Sequence, residues 1–186
     1  MQSIIYSYMK KSLLFLLASL FISYSAFSQE ENEETTTGQQ NFNELKLNGL
    51  FLILGAFEAT YERTLNEESG IGVTAFLPID NDVSDDIKYY ISPYYRLYFG
   101  EKYAAGFYVE GFGMLNSTNR NIDLFDTDED DFRTDFALGI GLGGKWMTKS
   151  GFIGELGFGV GRNLFNNSNT DYEFIGKGGI TIGYRF

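Results

Sequence analysis

The chain has 186 residues and carries 22 Gly, 13 Tyr and 18 Phe, but no Cys and no His. Its formal net charge of −11 argues against a nucleic-acid partner, because proteins that bind nucleic acid present a basic surface. The missing Cys excludes disulfides, thiolate metal sites and Cys nucleophiles, and the missing His removes the usual base of serine hydrolases and the ligand of most zinc sites. The composition therefore predicts neither an enzyme nor a bound cofactor.

Residues 1–28 have the organisation of a secretory signal peptide. Lys10 and Lys11 form a basic region, an apolar run covers residues 13–22, and small residues lead to a cleavage site after Ser28. A membrane-anchoring helix would need about 20 consecutive apolar residues, and this run is shorter. Residues 29–42 that follow are mostly polar, so we expect a flexible periplasmic lead-in.

Period-two alternation of apolar and polar residues then predicts a barrel domain over residues 43–186. The fold class is all-β, an eight-stranded antiparallel up-and-down transmembrane β-barrel preceded by the signal peptide. The predicted strands run from Glu44 to Leu54, over 57–62, 71–77, 89–99, 107–115, 135–146 and 155–161, and along a last strand that ends at Phe186.

The last strand carries the strongest signal, because its alternation continues to the final residue. One face is apolar and the other is small or polar: Gly178, Ile180, Ile182, Tyr184 and Phe186 alternate with Gly179, Thr181, Gly183 and Arg185. A membrane barrel needs such a strand, since the strand must close the wall and present an apolar face to lipid.

Two strands contain features that conflict with a regular wall. The far end of the first strand, towards Leu54, is apolar on both faces, and we expect a tight turn near Gly55. The fourth strand contains Pro93, which cannot donate a ladder hydrogen bond, so a bulge or a locally missing bond is predicted there.

The connections between strands alternate in length. Those near residues 66, 100 and 148 are short and those near 79, 116 and 163 are long, and the predicted turn at Gly55 is the exception. Short periplasmic turns and long external loops are typical of bacterial barrels, so both termini are expected in the periplasm. The acidic stretches at 80–86 and 123–131 fall in the long loops and read as solvated surface.

Charged residues also alternate into the predicted lumen. They comprise both signs, which predicts a network of paired charges, because an unpaired buried charge is very costly. The alternative is a carboxylate set for acid–base chemistry or a proton path. The predicted lumen charge network is Glu58, Glu62, Arg96, Glu110, Lys145, Glu155, Lys177 and Arg185.

Small and large inward residues are segregated between strands. Inward glycines dominate strands six to eight, whereas strands four and five turn large side chains inward, so we expect a plugged core and not a pore. The stretch 139–145 contains both GxGxxG and GxxxxGK, but Trp146 follows Lys145 where a phosphate loop needs Ser or Thr. The glycines of this stretch are interpreted as an inward glycine face.

Aromatic residues gather beside the short turns, where they would meet the membrane–water interface. This predicted membrane girdle comprises Phe99, Phe107, Trp146, Tyr184 and Phe186.

With its signal peptide, its strand–turn rhythm and the terminal residues 183–186, the chain resembles the small outer-membrane β-barrel proteins of Gram-negative bacteria, similar in scale to OmpA- and OmpX-type barrels. The resemblance implies an outer-membrane location after signal removal, contacts with outer-membrane lipid and lipopolysaccharide, and a C-terminal strand read by the barrel-assembly machinery. Such families include adhesion proteins, structural proteins and a few lipid-modifying enzymes, so the resemblance transfers no functional residue.

The leading function hypothesis is a non-enzymatic, monomeric barrel with a structural or surface-interaction role. Its acidic outer loops would bind partners, with divalent cations as one route to lipopolysaccharide. The alternatives are a small channel across the outer membrane and a periplasmic lipocalin-like ligand carrier.

Overall fold

The computed structural model describes residues 42–84, 87–119, 132–165 and 173–186. Within them, eight antiparallel strands pair in sequence order and close into a barrel, as the sequence predicted. The strands are β1 (Asn43–Asn48), β2 (Ala56–Asn66), β3 (Ser69–Pro78), β4 (Ile87–Phe99), β5 (Gly106–Asn119), β6 (Phe132–Met147), β7 (Phe152–Asn163) and β8 (Phe174–Arg185). The predicted signal peptide and residues 29–41 of the lead-in lie outside the described residues, as does the acidic stretch 123–131.

The period-two alternation of the sequence becomes the two faces of the wall. On β6, for example, Ile140 is 69% exposed on the outside, whereas Lys145 is 1% exposed on the inside. Along every strand the outward face carries large apolar side chains, and polar or aromatic side chains point inward. The barrel is therefore apolar outside and polar inside, the reverse of a soluble protein.

The predicted first strand is only half correct. β1 ends at Asn48, and residues Gly49–Leu54 form a short helix, α1. The Asn48 side-chain oxygen accepts hydrogen bonds from the backbone N–H groups of Leu50 and Phe51, at 3.1 and 3.4 Å. Gly55, at φ 90°, ends the helix in the left-handed conformation. These two caps favour a helical turn, and the run that is apolar on both faces suits it.

With α1 in place, the connection lengths alternate without exception. The short turns at 67–68, 100–105 and 148–151 lie at the same end as residues 42 and 186, which we call the terminal end. The longer connections lie at the loop end, and one of them contains a second short helix, α2 (Asn81–Ser84). No helix among the described residues is long and apolar enough to cross a membrane.

Pro93 leaves a gap in one ladder and does not shift the register. The pairing of β4 with β5 passes from Ile91–Leu115 to Tyr94–Phe112 in the same register, and skips Ser92 and Pro93. The register shift on this strand lies instead between Ile87 and Tyr89. Of the bulge and the missing bond predicted at Pro93, the structure has the missing bond.

Aromatic side chains fill the two ends of the lumen. Near the loop end, Phe51 of α1 meets Phe76 edge-on at 5.4 Å, and Phe76 stacks on Tyr90 at 4.8 Å. Nearer the terminal end, Tyr98 and Tyr108 pack edge-on at 5.9 Å. Between these two layers lies a polar middle section.

The inward glycines make room for the aromatic side chains of β5. A Cβ atom on Gly143 would lie 2.5 Å from the Tyr108 hydroxyl, and one on Gly159 would lie 3.0 Å from the Phe112 ring. Aromatic side chains commonly cover glycines of neighbouring strands in this way. The glycine run at 139–145 is thus a surface on which inward side chains of β5 pack.

Candidate functional site

The lumen holds ten charged side chains, nine of which form ion pairs with one another. All eight residues of the predicted network lie inside the barrel, and two further residues, Glu44 and Lys46 on β1, join them. Five are acidic and five are basic: Glu44, Glu58, Glu62, Glu110 and Glu155, with Lys46, Arg96, Lys145, Lys177 and Arg185. Their formal charges cancel.

Glu44 anchors the network at the terminal end. It accepts from Arg185 at 2.5 and 2.9 Å and from Lys145 at 2.8 Å. Arg185 also donates to the backbone carbonyls of Tyr103 and Ala104, both at 3.0 Å. These bonds join the first strand, the last strand and the 100–105 turn across the terminal end of the lumen.

Glu62 lies at the centre of the network and is fully buried. Lys46 and Lys145 each donate to it at 2.8 Å, and Arg96 donates at 3.2 Å. The hydroxyls of two inward tyrosines complete its shell, Tyr94 at 2.6 Å and Tyr98 at 2.5 Å. A buried carboxylate with this many donors is compensated for the loss of its water.

Arg96 connects the centre to the loop half of the lumen. It donates to Glu110 at 2.7 Å and also pairs with Glu155, which in turn accepts from Lys46 at 2.6 Å. The Arg96 guanidinium lies over the Tyr108 ring, 3.7 Å from its centroid. Arginine therefore binds carboxylates in its plane and an aromatic ring on its face, as its planar shape allows.

Lys177 and Glu58 are the most loosely held members. Lys177 donates to Glu110 at 3.1 Å. Glu58 forms no ion pair with a described residue and accepts instead from Asn48 at 2.9 Å and from the Tyr90 hydroxyl. Both line a cavity of about 40 Å³ in the middle of the barrel. That space has room for about three water molecules, since one water needs about 10–15 Å³ of such volume.

Three of the carboxylates also lie close enough together to share a cation. Oxygens of Glu44, Glu62 and Glu155 lie within 4.8 Å of one another. However, all three already accept from lysine or arginine donors. The cluster is therefore accounted for as part of the ion-pair network.

The predicted girdle residues lie on the outer surface at the terminal end. Phe99 and Phe107 face each other across the ladder at 6.1 Å, beside the 100–105 turn. Tyr184 meets Phe152 edge-on at 5.4 Å. Trp146 is 63% exposed and Phe186 is 52% exposed.

The overall architecture is that of a known class of barrels. The N-terminal β-barrel domain of Pseudomonas aeruginosa OprF is similar at a TM-score of 0.56 and 15% identity, with 79% of this chain and 98% of that domain covered. The chain is an eight-stranded β-barrel of the outer-membrane type. The barrel also matches the Yersinia pestis outer membrane protein Ail, at 15% identity over 79% of this chain and 100% of that one, but only at a TM-score of 0.38. No family model matches the chain, and no curated protein matches it.

Sequence reasoning omitted some members of the network. Glu44 and Lys46 alternate with the outward Leu45 and Leu47, so the period-two pattern already contained them. The sequence predicted large inward side chains on the fourth strand that fill the lumen. Two of them, Tyr94 and Tyr98, also donate hydrogen bonds to Glu62. No periodicity reveals that role, because it depends on the register between β2 and β4, which are not adjacent.

Proposed function

We propose that the protein is an integral outer-membrane barrel with a plugged lumen, whose role is structural or lies in surface interactions through its loops. The observation that carries this proposal is the pairing of an apolar exterior with a filled, charge-balanced interior. A protein that spans the bilayer core, about 30 Å of hydrocarbon, needs apolar side chains on its outer surface and a closed wall with no unpaired backbone edge.

The exterior of the described barrel supports the membrane part of the proposal. Large apolar side chains are exposed on every strand, and Ile140, Phe158 and Leu142 are each more than half exposed on neighbouring strands β6 and β7. A soluble monomer rarely exposes a contiguous apolar surface of such extent. Extraction with detergent only, and migration in gels that changes on heating, are the expected behaviour.

The interior supports the plugged-lumen part. Aromatic side chains fill the lumen on the loop side of the ion pairs and pack among the ion pairs towards the terminal end, and the cavity has room for only a few waters. Nine of the ten lumen charges form ion pairs across the interior, which supports a filled lumen in place of the water-filled channel of larger barrels.

Single-channel conductance in planar bilayers tests whether the lumen is plugged. We expect the purified barrel to give no steady single-channel current, whereas a Tyr98→Ala, Tyr108→Ala double variant, which removes the aromatic pair, gains a small current. Tyr95→Ala, on the lipid face of β4, is the matched control and should stay silent. A steady large current from the unaltered protein would contradict the plug and favour the channel alternative.

The surface-interaction role rests on the acidic loops. Residues 123–131 hold all six acidic residues of the longest connection, and carboxylate oxygens are the ligands that Ca²⁺ prefers. Replacing Asp126, Asp128, Asp130 and Asp131 by Asn should weaken Ca²⁺-dependent adsorption to lipopolysaccharide-coated surfaces without altering heat-modifiable migration. Equal adsorption of the Asp→Asn variant and the unaltered protein would show that this loop does not bind the surface.

A further inference from the structure

The barrel wall has a seam in its loop half. β1 pairs with β8 only as far as Asn48–Thr181, whereas β8 and its ladder with β7 continue to Phe174. On the other side, the β1–β2 ladder ends at Leu47–Ala59, although β2 begins at Ala56. The space between β8 and β2 is occupied by α1, which contacts both strands.

The seam exposes backbone polar groups at the edge of β8. The Gly178 carbonyl accepts from the Asn48 side chain at 3.3 Å, so this residue faces the seam. Alternate residues of a strand face the same neighbour, so Gly176 faces the seam as well. No described residue outside the β7 ladder bonds to the Gly176 backbone. In a hydrocarbon layer such groups need a polar partner.

Behind the seam lies the lumen cavity, with unused hydrogen-bonding capacity. Asn48, Lys177, Gly178 and Glu58 all line it. A lysine ammonium has three donors, and that of Lys177 bonds to one carboxylate and otherwise meets the Tyr94 and Phe112 ring faces. Lys177 is also the most exposed of the ion-paired lumen residues, at 11%.

The outside of the seam is apolar and has a glycine floor. On one side, α1 exposes Leu52 and Leu54, and on the other, Phe158 of β7 is 67% exposed. Phe158 pairs with Gly178 of β8, and the exposed Val160 pairs with Gly176, where an added Cβ would meet nothing within 4 Å. An alkyl chain placed there would contact apolar side chains along both flanks.

We propose that the seam between α1 and β8 binds a single-chain amphiphile with a small oxygen-bearing head, either a carboxyl or a hydroxyl group. The alkyl chain lies between α1 and Phe158 on the lipid side, and the head reaches through the seam to Lys177 and the edge of β8. The cavity of about 40 Å³ sets the size of the head. The head of a two-chain phospholipid carries glycerol on one side of its phosphodiester and a further group on the other, and it is larger than the few waters for which this volume has room.

This inference rests on the proposed membrane location, since the ligand enters from the bilayer. Its test uses the full chain in detergent micelles, first shown by heat-modifiable migration to be a folded barrel. The probe is a fluorescent polyene fatty acid of 18 carbons, displaced by palmitic acid, by hexadecanol or by a two-chain phospholipid.

The chain offers a matched pair of glycines for this test. Gly176→Phe fills the floor of the seam, and Gly111→Phe adds the same side chain on the lipid face of β5, where a Cβ also meets nothing within 4 Å. We expect Gly176→Phe to weaken probe binding by about tenfold or more, as loss of one good apolar contact surface implies, and Gly111→Phe to leave it unchanged. Lys177→Met should weaken displacement by palmitic acid more than by hexadecanol, because the acid loses an ionic partner.

Several outcomes would overturn the site. A folded, heat-modifiable barrel that gives no saturable binding refutes it and leaves the proposed function intact. Equal weakening by both glycine variants shows that the probe only coats the apolar belt. Displacement by the phospholipid as strong as by palmitic acid contradicts the small head, and concentration-dependent dimers blocked by Gly176→Phe would assign the β8 edge to a second copy of the chain. If the protein is extracted from cells without detergent, the proposed membrane location itself is wrong.

Discussion

Glu62 has more charged and hydroxyl partners than any other carboxylate described in the lumen. Three basic side chains and two tyrosine hydroxyls donate to it. Removing one member of a buried ion pair leaves the other charge uncompensated, which costs much more than the pair contributes. The stability of the barrel should therefore depend strongly on this one carboxylate.

We expect Glu62→Gln to lower the free energy of unfolding by about 3–5 kcal/mol. Reversible urea unfolding in lipid vesicles, followed by tyrosine and tryptophan fluorescence, measures the change. Glu173→Gln is the matched control, because Glu173 pairs with Arg162 at the exposed loop end, and its loss should change stability by less than about 1 kcal/mol. Equal effects of the two variants would contradict a central role for Glu62.

At the scale of single residues, the sequence predicted which side chains point inward but not how they pair. The inward positions of Arg96, Glu110 and Lys145 follow from period-two alternation within one strand. The partners do not, because Lys145 meets Glu44 and Glu62 from strands far away in the ladder order. Such pairings depend on the tilt of the strands and on side-chain rotamers, which alternation does not encode.

Among the elements, α1 differs most from its prediction. Residues 49–54 are apolar without interruption, a pattern compatible with a buried strand or a short helix. The decisive signals are the Asn and Gly at its two ends, a helix N-cap and a left-handed C-cap. The other strands were predicted correctly because each shows clear period-two alternation. Towards the loop end, β5 and β6 are longer than predicted and reach Asn119 and Phe132, because the alternation of apolar residues ends before the strands do.

Gly55 should be intolerant of a side chain. It has φ 90°, and a Cβ atom would lie 2.7 Å from that of Asp80. We expect Gly55→Ala to destabilise the barrel by about 1–3 kcal/mol, the usual range for a strained backbone residue. Urea unfolding in vesicles provides the measurement. Gly111→Ala, in open space on a regular strand, is the control, and a similar loss there would show that the effect is general to glycine positions.

The position of β6 in the membrane can be tested at Leu142. This side chain is 54% exposed on the outside, and its neighbours on the strand are Gly141 and Gly143. An arginine near the bilayer midplane costs about 2–4 kcal/mol, so Leu142→Arg should reduce both outer-membrane yield and stability in vesicles. Leu142→Phe keeps the site apolar and should retain both. A stable, fully assembled Leu142→Arg protein would place this side chain away from lipid.

For the whole molecule, closure depends on the last residues of the chain. Phe186 and Asn43 exchange two backbone hydrogen bonds, at 2.8 and 3.3 Å, and Tyr184 pairs with Leu45. Deleting residues 184–186 removes these bonds and also Arg185, the partner of Glu44. Open backbone edges in lipid cost several kcal/mol per group.

The truncated chain is therefore expected to accumulate in the periplasm as a protease-sensitive species that does not show heat-modifiable migration. Phe186→Tyr keeps the backbone and an aromatic ring at the terminal end, so it should assemble normally. Normal assembly of the truncated chain would refute the closure argument.

The lumen network also constrains the order in which the barrel can form. Its bonds link residues far apart in sequence, including Glu44 with Arg185 and Lys46 with Glu155, which are 141 and 109 residues apart. A half-built sheet would hold several of these charges without partners, so threading strands into lipid one at a time would expose them to hydrocarbon. Contacts of such long range make folding slow, because the chain must close large loops before any pair can form. The charges should therefore remain in contact with water until β8 meets β1, which makes insertion an all-or-none event with no stable intermediate of four or six strands.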